Sequence, residues 1–461
     1  MISCSPPRRS RRNQPVYPSV PLQLPPSTNP KMKLTRFLLS ALMLIPLSLR
    51  SEAPDLSMVA SREDLEAVIA STSSAALKEV LASHATAILD AAKQYPHVEA
   101  VIRTIEKAPG TFTKINATPD ALKRAFGGDI PLFETLTAVS TSIVNGRPHV
   151  YRGADEDPYD AAFIEHLGHI PSLESVKIVA TKIDDSWLPP LLKLKHLKSL
   201  SMEGRATGLP GKPALGDQSL ARLRELETLE QLSFLELAYF ANATEAGLEQ
   251  LAGLNRLESF TFRGSPVKGH AFAKFEGWTK LKSIRFHSNN LDDEGLKNVC
   301  EKFPSLESLN LIHSHDITDA SAGHLLKLPK LRSIQINGPK ITAAMLKNLP
   351  SLPIEHAMID QGAIQPASEA IATMKAVPTL RRLAIGGKPL TDADLAALAG
   401  IKQIEELSFE NLDLPESRVH QLQPFAFLKT LTLALRPAGY PQLTQAKIKA
   451  LLPKVDVKFV Q

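Results

Sequence analysis

Three histidines offer the first candidate chemistry in this 461-residue chain. His313-Ser314-His315 sets two imidazoles at alternate positions, and alternation puts them on one face of a strand. His287 lies close to one repeat earlier, and Asp316 adds a carboxylate. No further ligand follows at zinc-site spacing, so no metal is predicted. Cys300 is the one cysteine beyond the N-terminal segment. It shares a helical face with Leu296, Val299 and Phe303, which makes it an apolar filler rather than a nucleophile. Serines recur at Ser175, Ser199, Ser259, Ser283, Ser308 and Ser333, broken by Phe234, but none sits in a G-x-S-x-G turn. Packing explains them better than catalysis. The acidic run Asp155, Glu156, Asp157 and Asp160 lacks the glycine and alternating oxygens of a calcium loop. There is no phosphate loop, dinucleotide fingerprint or H-E-x-x-H. No catalytic residue and no cofactor is predicted.

The elements carrying these residues are repeats. Leu281 to Pro350 holds three copies of one pattern: L-x-x-[LI]-x-[LIF], a short polar turn, and an amphipathic helix ending near Pro304, Pro329 or Pro350. The opening apolar residue returns at Leu173, Leu197, Leu232, Leu257, Leu281, Leu306, Leu331, Ile354, Leu380, Ile404 and Leu428. That is about eleven copies over residues 171–461, and the period marks a solenoid. The one long interval holds an insertion at 204–211. Lys454–Phe459 reads as a closing strand. Asp217, Thr244, Asp292, Thr318 and Thr391 stand where helices begin.

These repeats resemble the leucine-rich repeat family, specifically secreted bacterial proteins with strand-plus-helix repeats of the ribonuclease-inhibitor-like type. The resemblance implies an α/β solenoid with parallel strands on a concave face and helices on the convex one. It also implies protein–protein interaction without naming a partner. The family's usual turn Asn or Cys is Thr181, Ser265, Asn289 and Ser314 in some copies here, and Pro339, Lys388 and Leu412 in others. A less regular turn is therefore expected. Pro189-Pro190 denies the first repeat a regular helix.

Ahead of the repeats, residues 54–129 read as a helical cap, opened by Ser61 and including Thr118-Pro119-Asp120 as a helix start. Residues 130–170 bridge to the array, with a degenerate first strand at Phe133–Val139 and a turn at Asn145–Pro148. At the chain's start, Met32 to Ala53 has a short basic segment, a 13-residue apolar run and small residues at a cleavage site. It reads as a signal peptide, too short to span a bilayer. Residues 1–31 read as non-native upstream leader. Without residues 1–53, 45 Lys and Arg stand against 47 Asp and Glu, so the basic balance of the whole chain is no sign of nucleic-acid binding. Localisation is expected to be secreted, periplasmic or cell-surface.

The binding surface follows from strand alternation. The middle repeats are predicted to present Arg263, Arg285, His287, Asn310, Gln335 and Asn337 on the concavity, with Glu406 and Glu410 making the far end acidic. Three of these carry positive charge in that reading, which points to an anionic or mixed-charge protein or other macromolecule. Beside them, Glu258, Lys282, Glu307, Arg332, Glu355, Arg381, Glu405 and Lys429 alternate in sign, so each neighbours its opposite across the sheet. The rival readings are an envelope-associated hydrolase, with the repeats as its targeting module, and a structural surface spacer.

Overall fold

The computed structural model describes residues 53–141, 143–144, 147–148, 158–180, 183–204, 215–228, 232–360, 365–387, 390–435 and 439–460. The signal segment up to Glu52, the acidic run 155–157 and insertion residues 205–211 lie outside them.

The chain opens with helices α1 (Arg62–Ser71), α2 (Ala75–Ser83) and α3 (Ala85–Glu106). Ser61 caps α1 by accepting from the Asp64 N–H, while the Asp64 carboxylate accepts from the Ser61 N–H, so two otherwise orphaned donors are satisfied. Next come β1 (Thr111–Asn116) and α4 (Asp120–Phe126). The expectation of an unbroken helical region misses β1. Thr111, Thr113 and Ile115 are β-branched and favour an extended chain, and β1 pairs antiparallel with β2 (Glu134–Ser140). Thr118 is not the cap of α4. Its hydroxyl accepts from the Ile130 N–H at 2.9 Å, and Pro119 takes the cap position. A short hairpin, β3 (Ile143–Val144) with β4 (Arg147–Pro148), follows.

From α5 (Ala161–Gly168) onward the repeats run β5 (Ser175–Ala180), α6 (Leu188–Leu191), β6 (Ser199–Gly204), α7 (Asp217–Leu223), β7 (Phe234–Ala238), α8 (Glu245–Glu249), β8 (Ser259–Arg263) and β9 (Ser283–His287). They continue through α9 (Asp293–Lys302), β10 (Ser308–Ile312), β11 (Ser333–Ile336), β12 (His356–Ile359), α10 (Ala367–Lys375), β13 (Arg382–Gly386), α11 (Asp392–Leu398), β14 (Glu406–Glu410), β15 (Thr430–Ala434), α12 (Gln442–Leu451) and β16 (Asp456–Val460). Strands β1, β2 and β5 to β16 form one 14-stranded sheet in chain order, parallel everywhere except β1–β2. This is an open α/β solenoid of the leucine-rich repeat type. The eleven opening residues each precede one of the strands β5 to β15, and β16 is the closing strand.

Helices are fewer than the repeat pattern predicts. After β8, β10, β11 and β14 the return is made by 3-10 turns, as at Asp319–Lys327 and Ala343–Leu346. A repeat of this length leaves few residues once the strand and two corners are built, and the tighter 3-10 coil spans the distance with fewer. Pro189-Pro190 likewise leaves the single-turn α6.

Inward side chains make one core along the array. Leu309 and Leu311 stack between their register partners Ile284 and Phe286 on one side and Ile334 and Ile336 on the other. Around β8 and β9 the filling is aromatic: Phe260, Phe272, Phe275, Trp278 and Phe303 meet edge-to-face or stacked. A second core lies under α1–α4, from Leu56 to Phe133.

On the helical side, acidic side chains tie each repeat to the next. Asp217 accepts from the Thr244 N–H and hydroxyl, both at 2.7 Å. Asp293 does the same for Thr318, at 2.8 and 2.6 Å, and Asp319 for Thr342. Close approach is needed there. A Cβ at Gly295 would stand 1.8 Å from the Lys268 carbonyl oxygen, and one at Gly247 1.9 Å from Asp217 Oδ1.

Candidate functional site

Away from the helices, the sheet presents its alternate residues in columns, because parallel register brings equivalent positions side by side. The serine column aligns as predicted, Ser308 pairing Ser283 and Ser333. The alternating charges beside it are realised as Lys282–Glu258 at 2.8 Å, Lys429–Glu405 at 2.6 Å and Arg332–Glu355. All are exposed, so each contributes roughly 0–1 kcal/mol. They fix register more than they stabilise.

The two outward columns hold the predicted binding residues and sort them. Arg263, at the end of β8, forms an ion pair with buried Glu203 at the end of β6, and its guanidinium lies 5.0 Å from the Tyr239 ring centre. Its charge is already answered. His287 is not a cation at neutral pH. Burial first, then Arg263 and His313, push its pKa down to about 3. Removing the imidazole from water penalises the charged form, and cationic neighbours add to the penalty. The expectation of three positive charges is corrected on both counts. Arg285 differs: among the described residues no hydrogen bond or ion pair reaches it, while its Nε, like that of Arg263, is buried without a partner.

Asn310 and Gln335 lie beside Arg285 in register, on β10 and β11. Asn337 leaves the set. It is buried, and its side-chain oxygen accepts from the His313 N–H, so it ties two turns together instead of facing outward. A polar side chain buried at a corner must satisfy backbone donors there.

The corners share a further feature. Tyr239, Gly264, Ser288, His313, Gly387 and Asn411 directly follow their strands with positive φ. At Tyr239, Gly264, Ser288 and Asn411 the left-handed turn aims the N–H at the next strand, as from Ser288 to the Ile312 oxygen at 2.8 Å. For the non-glycine corners this costs energy, and two of them, Tyr239 and His313, flank the Arg263–His287 cluster.

From β10 to β15 the outer face sinks into a depression of about 280 Å³. Ala384 supplies the short side chain at its floor, with Met358 and Ser408 as register neighbours. Gln335 Nε2 lies 2.9 Å from the Met358 sulfur, and the Arg382–Glu406 pair, 3.2 Å apart, forms the rim with His356. Of the predicted residues Asn310, Gln335 and Glu406 line it. His356, Met358, Arg382, Ala384 and Ser408 escaped prediction. The same alternation would have found them beyond the middle repeats. The far end is less acidic than predicted, because Arg382 answers Glu406. Asp360 is raised to about 6, first by burial and then by Glu410, against a lowering bond from Asn337.

Burial lifts the Cys300 thiol to about 12, which leaves no thiolate at neutral pH. His313 meets His287 with ring centres 5.4 Å apart, but among the described residues no three ligating side chains gather to hold a metal. A second histidine cluster lies where α3 meets α5. His97 Nδ1 is 2.8 Å from His166 Nδ1, and the His97 ring stacks on His169 at 4.2 Å. Among the described residues no helix is long and apolar enough to cross a membrane.

No family model matches the chain, and no curated protein is similar to it. One solved structure with a likeness is an internalin (inlF) from Listeria monocytogenes str. 4b F2365. It is 19% identical, covers 70% of this chain and 86% of its own, and has a TM-score of 0.36. The architecture rests on the strands, turns and register themselves.

Proposed function

We propose that the chain is an exported protein-binding module, secreted or held at the cell envelope, that takes its partner on the outer, concave face of its sheet. The observation that carries this reading is the depression lined by Ala384, on the sheet face turned away from the core. Its lining mixes an apolar floor with amide, hydroxyl and charged groups, the composition of a recognition surface with few rigid anchors. The role is binding rather than catalysis. Arg285, Asn310 and Gln335 extend the same surface toward the N-terminal repeats, and Arg263 and His287 support it from beside.

Filling the floor tests the reading. Ala384→Arg should abolish capture of the partner from the envelope fraction of the native host, while Glu301→Ala on the helical side leaves capture intact. A partner retained by Ala384→Arg and lost by helical-side variants would move the interface. Mature protein from that fraction should begin near Pro54. An intact N-terminus in the cytoplasm would end the claim of export.

A further inference from the structure

We infer that Arg285 is a preformed subsite for a carboxylate, an Asp or Glu side chain of a protein partner. This rests on the outer-face reading above and names the chemistry recognised there. Arg285 is the middle residue of β9, flanked in register by Thr261 and Asn310. Its Nε is sealed from water without an acceptor, and burial holds its pKa below the ordinary guanidinium value. Natural proteins pair such a cation. Here no carboxylate pairs with it directly, and Glu236 offsets its charge only through space. Glu203 binds Arg263, and Glu236 accepts from the Ser201 hydroxyl at 2.9 Å and lies 3.7 Å from Lys177. The remaining neighbours, Arg263 and a neutral His287, offer nothing that compensates a positive charge.

A half-buried guanidinium with no directly paired carboxylate weakens the free protein, and an acceptor at its open Nη edge recovers part of that loss. Its planar fork matches a carboxylate through two parallel hydrogen bonds, and Asn310 alongside supplies an amide. A nucleic-acid strand fits poorly, because Glu203, Glu236 and Glu410 stand in the outward columns and repel a run of phosphates. A protein segment carrying one acid opposite Arg285, and an apolar or polar residue over Ala384, suits the face.

The test selects peptides from a random displayed library on the full chain and on Arg285→Met, with folding of both checked by circular dichroism. Wild-type binders should share one Asp or Glu. Exchanging it for Asn or Gln should weaken binding about tenfold on wild type and less than about twofold on Arg285→Met, the signature of a direct pair. The unliganded Arg285→Met protein should melt at a higher temperature than wild type. A lower melting temperature would make Arg285 a structural residue and overturn the proposal. So would inorganic phosphate or sulfate raising the wild-type melting temperature more than acetate at equal ionic strength. Binders that Ala384→Arg abolishes but that show no acid preference would sink the carboxylate subsite and leave the binding reading standing. A library yielding nothing sensitive to either substitution would sink both.

Discussion

At the scale of single residues, the outer face is governed by what burial does to charge. Asp360 shows it most clearly. Its carboxyl is raised to about 6 because water is excluded and Glu410 stands nearby, with only Asn337 in opposition. A carboxyl that holds its proton more tightly in the folded state loses stability as pH rises from its unfolded value near 4 through its folded value. The penalty is then complete above about pH 6. Asp360→Asn should therefore stabilise the protein by roughly 1–3 kcal/mol at pH 8 and by little at pH 4. Urea unfolding at the two pH values reads the difference, and an equal effect at both would refute it. His287 obeys the same rule with the opposite charge, which is why a residue type chosen for positive charge contributes none at neutral pH.

At the scale of elements, the repeats are joined by the carboxylates on their helical side as well as by the strands. Burial alone would lift the Asp293 carboxyl. Bonds from the Ser321 and Thr318 hydroxyls and the Thr318 N–H outweigh it and hold the group below its ordinary value. Asp293 thus caps the following repeat from the previous one, a role its position in the first turn of α9 does not announce. Asp293→Ala leaves those donors without their acceptor and should cost about 1–3 kcal/mol. Because the folded pKa is depressed, that contribution is present above the unfolded pKa and fades as the solution is acidified through the folded one. The difference between wild type and Asp293→Ala should accordingly shrink toward pH 3 in chemical denaturation. A difference constant with pH would assign the loss to packing.

At the scale of the whole molecule, stability is shared between neighbours, since each inward leucine fills two interfaces at once. Leu309 is fully buried, with Ile284 and Ile334 as its register partners on either side. Leu309→Asp places a charge where none is compensated, and the cost should exceed about 3 kcal/mol. Hydrogen exchange should show protection lost across β9, β10 and β11 together. The core under α1, α2, α4 and the first half of α3 is a separate cluster and should keep its protection, while Val98, Val101 and Ile105 of α3 belong to the repeat core. Loss confined to β10 would contradict a shared core, and loss extending into α1, α2 and α4 would make the two cores one.

Much of this was legible in order of residues. The period of the apolar pattern fixed the number, direction and register of the repeat strands, because a strand's inward positions must repeat for the layers to stack. It also placed Asn310 and Gln335 on the outer face. It could not tell Arg263 from Arg285, which occupy similar strands, because the answer depends on Glu203, sixty residues from Arg263 and two strands away in the sheet. It misplaced Asn337, since a corner can turn a side chain inward at a position that alternation assigns outward. Nor did it find the depression, which Met358, Ala384 and Ser408 line from three adjacent strands. Periodicity is a property of one segment and survives in the sequence. Pairing and desolvation belong to groups that meet only after the layers stack, so tertiary structure alone decides them.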